Sequence, residues 1–114
     1  VGDKPRAHTV EEMRAMFITQ MQSLATYWAK TDLNRPEFKP LIERDGETLY
    51  RIEGFMHSVL VMLDGGGALP AFDVTPSPHE SDEAFHRANG ENWWAREVIN
   101  DCQLHDEWNA MRRK

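Results

Sequence analysis

The chain has 114 residues, 40% of them hydrophobic and 28% charged, with a formal net charge of −6 at pH 7. That mix excludes a disordered polymer and suits one ordinary globular domain, while the acidic balance makes the phosphate backbone of a nucleic acid an unfavourable partner. A lone cysteine, Cys102, rules out an intrachain disulfide, and the longest apolar run, 59–63, is far short of the roughly 20 residues a membrane helix needs. With a polar stretch at residues 1–8 in place of a signal-like segment, the expected compartment is the cytoplasm, with no membrane association.

Residues 1–8 are expected to form a flexible arm. Thr9-Val10-Glu11-Glu12 then matches a capping box, in which the Thr9 hydroxyl accepts from the Glu12 amide and the Glu12 carboxylate reaches back. Val10, Met13, Phe17, Met21, Leu24 and Trp28 follow at steps of three and four, which predicts a helix over 10–30 with one apolar face. The turn-rich run from Thr31 to Pro36 ends it. Residues 41–50 carry two readings: a hairpin about Asp45-Gly46, or the start of a helix capped by Asp45 and running to Leu63. The helix explains more residues, because Leu49, Ile52, Met56, Val59, Leu60 and Leu63 share a face. Gly54 inside it points to close approach of another element, the first helix being the natural candidate.

Gly65, Gly66 and Gly67 stop that helix, since a glycine past the last turn takes the left-handed conformation without strain. Alternation in 71–75 predicts a short strand, ended by Pro76 and Pro78. Residues 79–89 predict a short helix closed by Gly90, 92–100 a second short strand able to pair with the first, and 104–113 a terminal helix. The expected class is therefore α+β: one mostly helical domain over 1–114, two long packed helices, a two- or three-stranded sheet and short C-terminal helices.

Three groups of residues could carry function. His79, Asp82 and His86 would share one face if their segment were helical, and two imidazoles with a carboxylate suit a divalent metal. Such a site would support a metal-dependent hydrolase, although no His-Glu-x-x-His pattern is present, and acidic residues in a first helical turn also serve the helix dipole. His57 would act as a base only with a carboxylate from elsewhere, such as Asp64 or Asp73. His105-Asp106 reads as a polar helix face. The triple glycine resembles a phosphate loop only superficially, because it follows a helix and no Gly-Lys-Ser or Gly-Lys-Thr comes after it. Trp93 and Trp94 are adjacent, so in a strand one enters the core and the other faces outward as a contact for a ligand or partner.

The runs Glu53-Gly54, 58–66, Leu69-Pro70-Ala71-Phe72, Pro76-Ser77-Pro78-His79 and Gly90-Glu91-Asn92-Trp93-Trp94 together resemble a group of small uncharacterised bacterial proteins associated with phages and prophages. That resemblance implies a setting and supplies no catalytic residue. The expected function is a small non-enzymatic binding or accessory protein, without a cofactor. It would contact a protein partner or a small ligand through Gly65, Gly66, Gly67, Trp93 and Trp94, and could act as a homodimer. A DNA regulator using Arg112-Arg113-Lys114 fits the acidic balance poorly.

Overall fold

The computed structural model describes residues 5–112. Residues 1–4 of the expected arm, and Arg113 and Lys114 of the basic C-terminus, lie outside the described residues. Two compact units divide the chain, Val1–Val59 and Leu60–Lys114.

The first unit is built on α1 (Val10–Lys30). Its start is the expected capping box: the Glu12 amide donates to Thr9 Oγ1 at 3.1 Å and the Thr9 amide to Glu12 Oε1 at 2.8 Å. Arg6 adds an ion pair at 2.8 Å to the same carboxylate, and together these donors hold the Glu12 carboxyl down at about 2. A 3₁₀ turn, Pro36–Phe38, leads into α2 (Lys39–Asp45), and α3 (Glu47–Leu63) follows. No hairpin forms at 45–46. Gly46 closes α2 in a left-handed conformation (φ 85°), its amide donating to the Ile42 carbonyl at 2.7 Å. Asp45 thus ends one helix instead of capping the next, and pairs with Arg44 at 2.6 Å.

Gly54 receives α1 at close range. A Cβ built there would stand 2.5 Å from the Trp28 ring, so only glycine lets the indole lie on the helix backbone. Trp28 Nε1–H donates to Ser58 Oγ at 2.8 Å. Arg51 reaches the other way and donates to the carbonyls of Trp28 (2.6 Å) and Thr31 (2.9 Å), satisfying groups that the end of a helix leaves open.

The second unit begins in the last turn of α3. The Gly65 amide donates to the Met62 carbonyl (3.1 Å) and the Gly66 amide to Val61 (2.9 Å), with Gly65 at φ 84°. This is a complete Schellman ending. Met62 and Leu69 are buried there. Two short helices follow, α4 (Asp82–Ala88) and α5 (Leu104–Arg112).

The described residues contain no strand, which corrects the expected α+β class and its two- or three-stranded sheet. Residues 71–75 are extended, but only one backbone bond ties them to the second predicted strand, Ile99 N–H to the Val74 carbonyl at 2.8 Å. The rest of the pairing comes from a side chain: Asn100 Oδ1 accepts from Val74 N–H at 2.8 Å and Asn100 Nδ2 donates to the Phe72 carbonyl. One carboxamide does what a neighbouring strand would do, and a single such rung is not a ladder. The prolines at 76 and 78 offer no donor to extend it. Among the described residues, no helix is long and apolar enough to cross a membrane.

Candidate binding cleft

The short helix at 79–89 starts later than its pattern predicts. His79 stays outside α4, because its own ring takes up the local donors: Nδ1 accepts from the Ser81 amide at 3.1 Å and meets Ser81 Oγ at 2.7 Å. The Asp82 amide donates to the His79 carbonyl at 2.9 Å, which makes the turn that opens the helix. Asp82 and Glu83 occupy the first turn of α4 and His86 and Arg87 the last, the order that the helix dipole favours. After Gly90 (φ 69°) the chain doubles back, and 93–96 runs beside the start of α4.

A cleft of about 520 Å³ results, lined by His79, Glu80, Asp82, Glu83, Trp93, Trp94 and Arg96 with Pro78 and Ala95. Two groups that the sequence offered separately, the histidine–carboxylate cluster and the tryptophan pair, therefore share one wall. Asp82 links them, with Oδ1 3.3 Å from His86 Nε2 and Oδ2 accepting from the Trp94 amide at 3.3 Å. His86 does not line the cleft; its Nδ1 lies 3.1 Å from Glu91 Oε1. The Arg87 guanidinium stacks 4.2 Å above the Trp93 ring and pairs with Glu83 at 3.6 Å. Arg96 donates to the Pro78 carbonyl and so pins the two edges together. Trp94 is left 69% exposed.

His79, Asp82 and His86 do not converge on a point, and no three His, Cys, Asp or Glu side chains among the described residues gather as a metal site would require. Gly65, Gly66 and Gly67 lie apart from the cleft lining. Gly65 and Gly66 are needed for the path of the chain, the Gly65 Cβ position being 3.0 Å from the Ala71 Cβ and that of Gly66 2.7 Å from Val61, whereas a Cβ at Gly67 would meet nothing within 4 Å.

Sequence reasoning missed a second constellation. Asp64, its side chain only 1% exposed, accepts on Oδ2 from the backbone amide of His105 at 2.9 Å and from His105 Nδ1 at 2.6 Å. The carboxylate thereby sits on the N-terminus of α5, a favourable place for an anion. Burial pushes the Asp64 carboxyl up, but the His105 amide, the His105 ring and the Leu104 amide outweigh it and hold the group below its ordinary value. These partners are forty-one positions apart in the chain, so no local spacing could announce them. Glu80, Arg87 and Arg96 were also passed over; only Arg96, two positions after the exposed Trp94, carried a local signal, whereas Glu80 and Arg87 reach the tryptophans through the fold.

Compared with known proteins, the chain matches no protein-family model, no curated protein and no solved structure.

Proposed function

We propose that this protein is a non-enzymatic binding module whose contact surface is the Trp94 cleft, and that it takes a partner segment presenting a Lys or Arg side chain. The observation that carries this reading is the exposed Trp94 indole lining the same cleft as the carboxylates of Glu80, Asp82 and Glu83, with the cleft's own cation, Arg96, donating to the Pro78 carbonyl. An indole face attracts a cation, more strongly once both are partly desolvated, and neighbouring carboxylates add hydrogen-bond acceptors. The chain itself supplies an instance one residue away, where Arg87 stacks on Trp93 while paired to Glu83. A large flat residue such as Trp also gives contact area at little cost in conformational entropy. The resemblance to phage-associated proteins adds a setting for such an accessory role and no mechanism.

The test is an NMR titration with a tri-arginine peptide, following the indole N–H signals, with a tri-glutamate peptide as control. The expected result is a saturable, salt-sensitive shift of the Trp94 signal with tri-arginine alone. Trp94→Ala should weaken binding at least about tenfold, the scale of a modest interface anchor, with an unchanged far-UV spectrum. Equal binding by the variant, or collapse of the fold without a separable effect on binding, would remove this reading.

A further inference from the structure

The first unit has a face that its own helices do not cover. Trp28, on α1, meets α3 through Tyr50, Gly54 and Ser58. At about 100° per residue, Ile52 and Met56 lie about 160° round the helix axis from Gly54, and Leu49 about 140°. The apolar stripe of α3 therefore points away from the helix that packs on it. All three residues are exposed, Ile52 by 52%. Beside them an apolar groove of about 330 Å³ runs along Trp28, walled by Ala25, Ala29, Ile52 and Phe55. Ile52 belongs to both features, so ridge and groove are continuous.

The exposed area is large as well. The chain exposes 9152 Å² for 13.2 kDa. A compact monomer of this mass exposes about 6,400 Å², and two separate compact bodies of half the mass about 7,700 Å² together. The excess over two such bodies, about 1,400 Å² for the whole chain, is comparable to what one copy contributes to an obligate dimer interface, roughly 1,000–2,500 Å² per chain. Leu33 is the one buried hydrophobic side chain among the described residues of the first unit, so the unit lacks the core that a free-standing helical body of its length would have.

We infer that the Leu49–Ile52–Met56 face of α3, with the groove beside Trp28, is a self-association surface that takes the same face of a second copy of this chain. A two-fold axis places the ridge of one copy in the groove of the other, the isologous arrangement that an apolar ridge beside an apolar groove permits. The surface is independent of the Trp94 cleft, and neither proposal rests on the other.

Sedimentation velocity on the full chain tests this at micromolar concentration. The expected mass is twice 13.2 kDa, and Ile52→Glu should shift the population to monomer by raising the dissociation constant at least about a hundredfold, as expected for a charge buried in an apolar contact. A second measurement covers a variant that does not fold alone: Ile52→Glu mixed with Ile52→Lys should recover the dimer mass and the helical far-UV signal, because Ile52, shared by ridge and groove, lies beside the two-fold axis in this arrangement and there meets the opposite charge of the other copy. A folded monomeric wild type, an Ile52→Glu chain that still dimerises, a mixture that recovers nothing, or a mass other than two copies would each overturn the inference.

Discussion

Asp64 and His105 hold each other twice, through one carboxylate oxygen that takes both the backbone amide (2.9 Å) and the ring Nδ1–H (2.6 Å) of the histidine. Asp64 itself follows the last turn of α3, where a negative charge opposes the helix dipole, and is stable there because it caps α5. The contact thus fixes the start of one helix to the end of another within the second unit. Removing the charge while keeping the shape, with Asp64→Asn, should cost about 2 kcal/mol, the scale of a buried charge-assisted bond. Urea unfolding at pH 7 measures it, and an unchanged midpoint would show the pair to be dispensable.

The same pair predicts a pH dependence. A carboxyl whose folded pKa lies below its unfolded value, about 3.9, adds stability above that value and loses it as pH falls through the folded pKa. The stability gap between wild type and Asp64→Asn should therefore be full at pH 7 and shrink below about pH 4. Because other carboxylates titrate in both chains, the gap is the quantity to follow. A gap that widened in acid would reverse the assigned direction.

Gly54 allows a test of the first unit. Alanine improves an exposed helix interior by about 1 kcal/mol over glycine, but here its methyl would overlap the Trp28 ring at 2.5 Å. Overpacking of this kind costs about 1–3 kcal/mol, so Gly54→Ala should be net destabilising by about 1 kcal/mol. In a Trp28→Leu background the clash is absent and the same change should be neutral or stabilising. A double-mutant cycle by chemical denaturation reads the coupling directly; no coupling would mean that the ring does not rest on Gly54.

Much of this was legible because it is local. Thr9 and Glu12 announce the start of α1, Gly65 announces the end of α3, and the chain follows both to the residue. Gly54 signalled a close neighbour, and Trp28 is that neighbour. The sheet was misread because Phe72 to Val74 alternates as a half-buried strand does, and nothing in that pattern tells whether the partner is a backbone or the side chain of Asn100. Likewise Asp64 was weighed only as a partner for His57, and its bond through Oδ2 to His105 was not foreseen, because tertiary folding alone brings those two together. In the cleft the tryptophans and His79 were singled out for separate reasons, and their meeting depends on the reversal after Gly90.

Arg51 is anchored by Glu47 at 2.8 Å and spans from α3 to the last carbonyls of α1. Arg51→Met keeps most of the stem and loses the donors, which should cost about 1–3 kcal/mol. Its signature is spatial: amide hydrogen exchange should quicken in the last turn of α1 and at residues 31–34, and much less at the capping box. Uniform loss of protection along α1 would point to global unfolding instead.

Asn100 should be the most discriminating position in the second unit, because its carboxamide donates to one carbonyl and accepts from one amide. Asn100→Ala leaves both backbone groups of a half-buried segment without that partner, at about 1–3 kcal/mol. Asn100→Asp keeps the acceptor for Val74 but turns a carboxylate oxygen toward the Phe72 carbonyl, adding repulsion to the lost bond. At neutral pH the aspartate variant should therefore be less stable than the alanine variant. On acidification the order should invert, since a protonated carboxyl regains a donor for Phe72 while alanine gains nothing. This is the opposite sense to the Asp64 effect, so the two can be separated in one pH series. Parallel curves for the two Asn100 variants would mean that the carboxamide is a bystander and that the Ile99–Val74 bond alone holds these segments.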